Sequence, residues 1–155
     1  MNSENFRIGI VVSTFNEEIS NRLLDGASSY LKNSSDFTTD ISVSWVPGAF
    51  EIPFACQEVI DKTNVDAIIA LGSVVKGGTP HFNFVAGECI RGIQAVSLST
   101  KTPISLGVLT TNTYEQALER SDSSYVDHDG SSGDKGTSAA KAAIAMIRMV
   151  RSLTD

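Results

Sequence analysis

Ala67-Ile68-Ile69-Ala70-Leu71-Gly72-Ser73-Val74-Val75-Lys76-Gly77-Gly78-Thr79-Pro80-His81-Phe82 is an apolar run that stops at two glycines and restarts with helical periodicity. The run 67–75 reads as a strand needing no polar partners beyond its ladder, of the kind a parallel sheet buries. Gly77 and Gly78 are expected to reach backbone angles closed to other residues and to let a ligand approach the main chain. Thr79 is expected to cap the following helix and Pro80 to take its first position, so that free N–H groups and the positive helix end face whatever sits above the strand. An anion such as a phosphorylated small molecule suits that place. His81 would lie beside it, and an imidazole is the side chain suited to moving protons near neutrality. The plain alternative is a packing turn followed by a structural histidine.

Outward from this stretch, short β-branched runs alternate with longer helical periodicities, the pattern of βαβ units around a mainly parallel sheet. Residues 7–13 form the first expected strand; Ile41, Val43 and Trp45 alternate in the second; 67–75 is the third and 104–109 the fourth. Between them Ile19, Leu23, Leu24, Ala27 and Leu31 mark one helix face, and Ile52, Ala55, Val59 and Ile60 another. Phe82, Val85, Cys89, Ile90, Ile93 and Val96 carry the third helix, 113–120 reads as a short fourth and 138–153 as a closing fifth. The expectation is a three-layer αβα sandwich with a four-stranded sheet, in one domain spanning 1–155. Residues 121–134, with Asp122, Asp127, Asp129 and Asp134 among serines and glycines, show no period and read as a flexible acidic surface loop.

Charge and cysteine usage narrow the classes of function. With 12 basic against 18 acidic residues and a net charge of -6, the chain has no concentrated basic stripe for nucleic acid. No stretch approaches the roughly 20 apolar residues of a membrane span, and the first residues lack a secretory pattern. A cytoplasmic protein is expected. Cys56 and Cys89 have neither Cys-x-x-Cys nor histidine spacing, so they read as buried hydrophobes, with no metal site.

In an open α/β sheet, ligands bind beyond the carboxyl ends of the strands. Ser13-Thr14-Phe15-Asn16, Pro47-Gly48-Ala49-Phe50-Glu51, the glycine turn with His81, and Thr110-Thr111-Asn112-Thr113 leading to Arg120 all fall there. Phe15 either staples the next helix or stacks on a planar heterocycle. Glu51 either complements a helix dipole or accepts hydrogen bonds from a ligand. Arg120 either closes a short helix or grips phosphate with its planar guanidinium. Lys135 reads as a solvated turn lysine, and His128 receives no role.

With these residues assembled, the chain resembles the 6,7-dimethyl-8-ribityllumazine synthase family over nearly its whole length. The likeness runs from Arg7-Ile8-Gly9-Ile10-Val11-Val12-Ser13 through Val46-Pro47-Gly48-Ala49-Phe50-Glu51-Ile52-Pro53 and Gly77-Gly78-Thr79-Pro80-His81-Phe82. It continues in Gly107-Val108-Leu109-Thr110-Thr111 and in Glu115-Gln116-Ala117 with Arg120. The resemblance implies a flavodoxin-like fold and condensation of 5-amino-6-(D-ribitylamino)uracil with 3,4-dihydroxy-2-butanone 4-phosphate, without metal or organic cofactor. It implies that Phe15 stacks on the pyrimidine, while main-chain groups of Ala49, Phe50, Ser73, Val74 and Val75 and the Glu51 carboxylate hold the uracil and ribityl groups. Gly78, Thr79 and Arg120 would bind the phosphate, His81 would shuttle protons, Leu106 would add to the pyrimidine pocket, and Lys135 would lie near the phosphate.

Three departures from the family pattern stand out: Asn83 where an acidic residue is common, Thr14 where a basic one is common, and the length of 121–134. Family members form pentamers with active sites between subunits, some of which build sixty-chain shells. The acidic loop falls where shell formers keep a tight turn, so crowding and repulsion favour a free homopentamer. A non-catalytic flavin- or phosphate-binding module and a scaffold that lost its chemistry are the competing readings, because a fold does not establish turnover.

Overall fold

The computed structural model describes residues 3–130 and 133–154, so Ser131 and Ser132 of the expected loop lie outside the described residues, as do Met1, Asn2 and Asp155. Ten elements follow one another: β1 Glu4–Ser13, α1 Glu17–Asn33, β2 Phe37–Val46, a 3-10 turn Ala49–Glu51, α2 Ile52–Lys62, β3 Ala67–Val75, α3 His81–Thr100, β4 Ile104–Thr111, α4 Tyr114–Arg120 and α5 Lys135–Ser152. All strand pairs are parallel, in the order β2-β1-β3-β4. This is the flavodoxin-like order without its fifth strand.

Alternation along the strands makes the two cores. Phe6, Ile8, Ile10 and Val12 of β1 face α1 and α5, where Leu23, Ala27, Ala140 and Ile144 close the layer. Val11, Ile68 and Ala70 face the other way, onto Ile52 and Cys56 of α2 and Cys89 and Ile93 of α3. Each fully buried Leu or Ile contributes about 1.5–3 kcal/mol relative to exposure, so the three layers rest on these faces. Among the described residues no helix is long and apolar enough to cross a membrane.

β3 has the limits the sequence predicts, but β2 is longer than its alternating core of 41–45. It pairs with β1 from Glu4↔Phe37 to Ser13↔Val46. Thr39, polar on the face that carries Phe37, Ile41, Val43 and Trp45, interrupts the apolar period, as an edge strand allows. Phe37 anchors it, with its ring 5.3 Å from Phe6 in an edge-on contact. α5 starts three residues before the expected position because Asp134 caps it, accepting from the Thr137 N–H (2.9 Å) and hydroxyl (2.8 Å). Gly136 then lies so close to α1 that a Cβ would overlap the Leu23 backbone.

The expected surface loop is exposed along most of its described length, but Ser121, Tyr125 and Asp134 turn inside. From β1 the chain crosses to β2 on one side and then returns to β3 on the other. The connections therefore diverge above the carboxyl ends of β1 and β3 and open a crevice there.

Candidate active site

The rim above that crevice is fastened by backbone bonds between loops. After β1, the Thr14 N–H donates to the Val46 carbonyl (2.8 Å) and the Phe15 N–H to the Pro47 carbonyl (3.1 Å). Asn16, at φ 60° and ψ 54°, takes the left-handed conformation that asparagine tolerates better than most residues. Its Nδ2 donates to the Ser73 carbonyl at 2.9 Å, tying the first loop to the end of β3. Three loops thus hold each other, while the Phe15 ring they carry is 71% exposed.

Between them lies a cavity of about 680 Å³. Phe15 stands on one wall, Ala49, Phe50 and Glu51 on a second, and Ser73, Val74 and Val75 on the floor. Thr79 and His81 close the side of the glycine turn. Phe50 is 62% exposed, so with Phe15 it places two open aromatic rings beside the Glu51 carboxylate in a single concavity that also holds Phe84 and Glu88. The Ser73 side chain is 2% exposed and its Oγ has no hydrogen-bond partner among the described residues. The hydroxyls of Ser13, Ser20 and Ser105 are buried without a partner as well.

The glycine turn differs in detail from its sequence reading. Gly77 and Gly78 do not use the left-handed region, since Gly130 and Gly133 are the described glycines with positive φ. A Cβ at either would meet nothing within 4 Å, so their contribution is open space over the main chain. Pro80 occupies the cap position of α3 rather than its first residue, and makes no side-chain cap bond. Thr79 precedes it, and its hydroxyl accepts from the His81 N–H at 3.4 Å. His81 itself is the first helical residue, with its side chain exposed at the cavity edge.

Four expected residues lie elsewhere on the chain. Gly78 borders the turn while Gly77 lines the cavity. Leu106 sits midway along the edge strand β4, opposite Ala70, and is 49% exposed. Arg120 ends α4, with its guanidinium carbon 5.7 Å from the Tyr125 ring centroid. Lys135, read as a solvated turn residue, begins α5 and places its ammonium 2.5 Å from the Asp127 carboxylate. That ion pair and the His128 N–H hold Asp127 down at about 2.

The cavity also has members that the sequence reading left out: Phe84 and Glu88. Phe84, Val85 and Glu88 follow His81 at three, four and seven residues, the spacing of one helix face, and that period was the available signal. Glu88 pairs with Arg91 on the same helix.

A second cavity of about 720 Å³ between α1 and the 121–134 loop is larger, but most of its charged groups are engaged within the chain. Asp134 is bound to Thr137, Asp122 to Ser124, and Arg22 to Glu18 and the Leu118 carbonyl. It presents no converging free groups comparable to the crevice. Cys56 and Cys89 are fully buried, and burial pushes their thiols up to about 12 and about 11, which removes them as nucleophiles. No group of three His, Cys, Asp or Glu side chains among the described residues is arranged to hold a metal ion.

A family model described as 6,7-dimethyl-8-ribityllumazine synthase matches residues 5–151, a span that contains the whole crevice together with Leu106, Arg120 and Lys135.

Proposed function

The chain belongs to the 6,7-dimethyl-8-ribityllumazine synthase family, and from that premise we propose that it condenses 5-amino-6-(D-ribitylamino)uracil with 3,4-dihydroxy-2-butanone 4-phosphate, releasing phosphate and water. The observation that carries this reading is the crevice in which Phe15, Glu51, Ser73 and His81 share one cavity. Phe15 stacks on the pyrimidine ring. The Glu51 carboxylate and main-chain groups of Ala49, Phe50, Ser73, Val74 and Val75 orient the uracil and its ribityl arm. Thr79 and Gly78 meet the phosphate ester at the positive end of α3. His81, at the edge of the same cavity, carries protons during imine formation, phosphate elimination and ring closure.

Arg120, Lys135 and Leu106 reach this chemistry from a neighbouring protomer in a homopentamer. Two observations support the shared site: these three residues do not line their own chain's cavity, and Phe15, Phe50 and Phe84 on the cavity rim are each more than half exposed. Open aromatic rims of this kind mark association surfaces. Holding two substrates in one pose can supply roughly 7–11 kcal/mol of the barrier, more than a single proton-transfer group gives.

The direct test mixes both substrates with the protein and follows the fluorescence of the lumazine product. Turnover well above the spontaneous reaction is expected. Binding of either compound without acceleration would instead establish a non-catalytic module.

A further inference from the structure

Residues 121–134 are rich in serine, glycine and aspartate, yet their one aromatic ring is inside: Tyr125 keeps 8% of its surface. Its backbone ties the loop together. The Tyr125 N–H donates to the Asp122 carbonyl at 3.1 Å, and its carbonyl accepts from the Gly133 N–H at 2.8 Å. Gly133, at φ 103°, supplies the conformation that brings the chain back to this point.

The ring is flanked by two cations from the helices on either side of the loop. The Arg120 guanidinium carbon is 5.7 Å from its centroid and the Lys135 ammonium 5.3 Å, both within cation–π reach. Two positive charges on one ring repel, and the loop answers on one side: Asp127 takes the Lys135 ammonium at 2.5 Å. The Tyr125 side chain hydrogen-bonds the same carboxylate. Arg120 is less engaged, with a long 3.4 Å bond to the Gln116 carbonyl and Glu119 at 3.7 Å. The result is an arginine fixed on an aromatic surface with donor capacity left for an anion, beside a lysine whose charge is already matched.

We propose that Tyr125 is a positioning residue for the phosphate-bearing substrate, its ring holding the Arg120 guanidinium ready for the phosphate dianion. This rests on the reading that Arg120 grips that phosphate. The physical reason is preorganisation: a long side chain already held on a ring loses less rotamer freedom when it closes on an anion.

Tyr125→Met keeps a long apolar side chain and removes the π face; Tyr125→Phe keeps the face and removes only the hydroxyl. The Met variant is expected to raise KM for the butanone phosphate about tenfold, in line with the loss of cation–π contact. KM for the ribitylaminouracil and kcat stay near wild type, and Tyr125→Phe restores the wild-type pattern. Inorganic phosphate, titrated calorimetrically, follows the same order. In the wild-type protein, phosphate is also expected to shift the Tyr125 ring resonances, an observation that needs no destabilising variant.

If Arg120→Ala binds phosphate as well as wild type, the underlying phosphate reading fails and the proposal with it. If Arg120→Ala loses phosphate while Tyr125→Met keeps it, or the Tyr125 resonances do not respond, Tyr125 loses its role and the phosphate reading stands. A uniform fall in kcat with both KM values raised, unrescued by Tyr125→Phe, would show a purely structural residue and overturn the proposal.

Discussion

On the proposed function His81 moves protons and Arg120 supplies charge, and their substitutions separate the two. His81 stands exposed at the start of α3, where water can replace part of its proton traffic. His81→Ala is therefore expected to lower kcat by no more than about 100-fold, the low end for general acid–base help. Arg120→Ala is expected to be at least as damaging, seen mainly in KM for the phosphate substrate. Steady-state kinetics on both variants decide the ranking, and complete loss with His81→Ala beside a mild Arg120→Ala would reverse it. Lys135→Ala should cost less than Arg120→Ala, because Asp127 already matches that ammonium. At the cysteines the expectation is chemical silence. With both thiols buried and pushed up to about 12 and about 11, a thiol reagent at pH 8 should label neither until the protein is unfolded.

Among the elements, α5 and the loop before it hold the most that local reasoning did not reach. Gly136 permits the close crossing of α1 by α5, since a Cβ there would strike the Leu23 backbone, which cannot swing aside. Gly136→Ala is expected to destabilise by about 1–3 kcal/mol or more, read as a lowered thermal midpoint. The Asp127 clasp has a defined pH window. Its carboxyl is depressed from 3.8 to about 2, first by the Lys135 hydrogen bond and then by the His128 N–H. A depressed carboxylate adds stability that is present above the unfolded value and is lost as pH falls through the folded one. The loop should stay closed at neutral pH and open as pH drops from about 4 to about 2; carboxyl NMR titration and amide exchange of the loop report it. Strand β3 was legible because an unbroken apolar run has few alternatives. The loop was not, because nothing in a Ser-Gly-Asp composition says that one tyrosine will be enclosed by cations arriving from α4 and α5.

For the whole molecule, the prediction concerns shared sites. If Arg120 serves a neighbour's crevice, co-expressing an Arg120→Ala chain with a Phe15→Ala, His81→Ala chain should recover part of the activity that each assembly lacks alone. No recovery would place all of these groups in one chain's site. Light scattering at near-neutral pH is expected to give a pentamer, and a megadalton particle would show that the acidic loop does not prevent shell formation.

The order of strands and helices, the crevice at the strand ends and the identity of Phe15, Glu51 and His81 as its members follow from the chain alone, because hydrophobic period and turn chemistry are local properties. Tertiary structure alone decided other matters. It set Asn16 as the clamp on Ser73, seated Tyr125 beside Arg120 and Lys135, and kept Leu106, Arg120 and Lys135 off their own chain's cavity. Each of these depends on where separately specified elements come to rest against one another, and that is settled by packing between residues far apart in sequence.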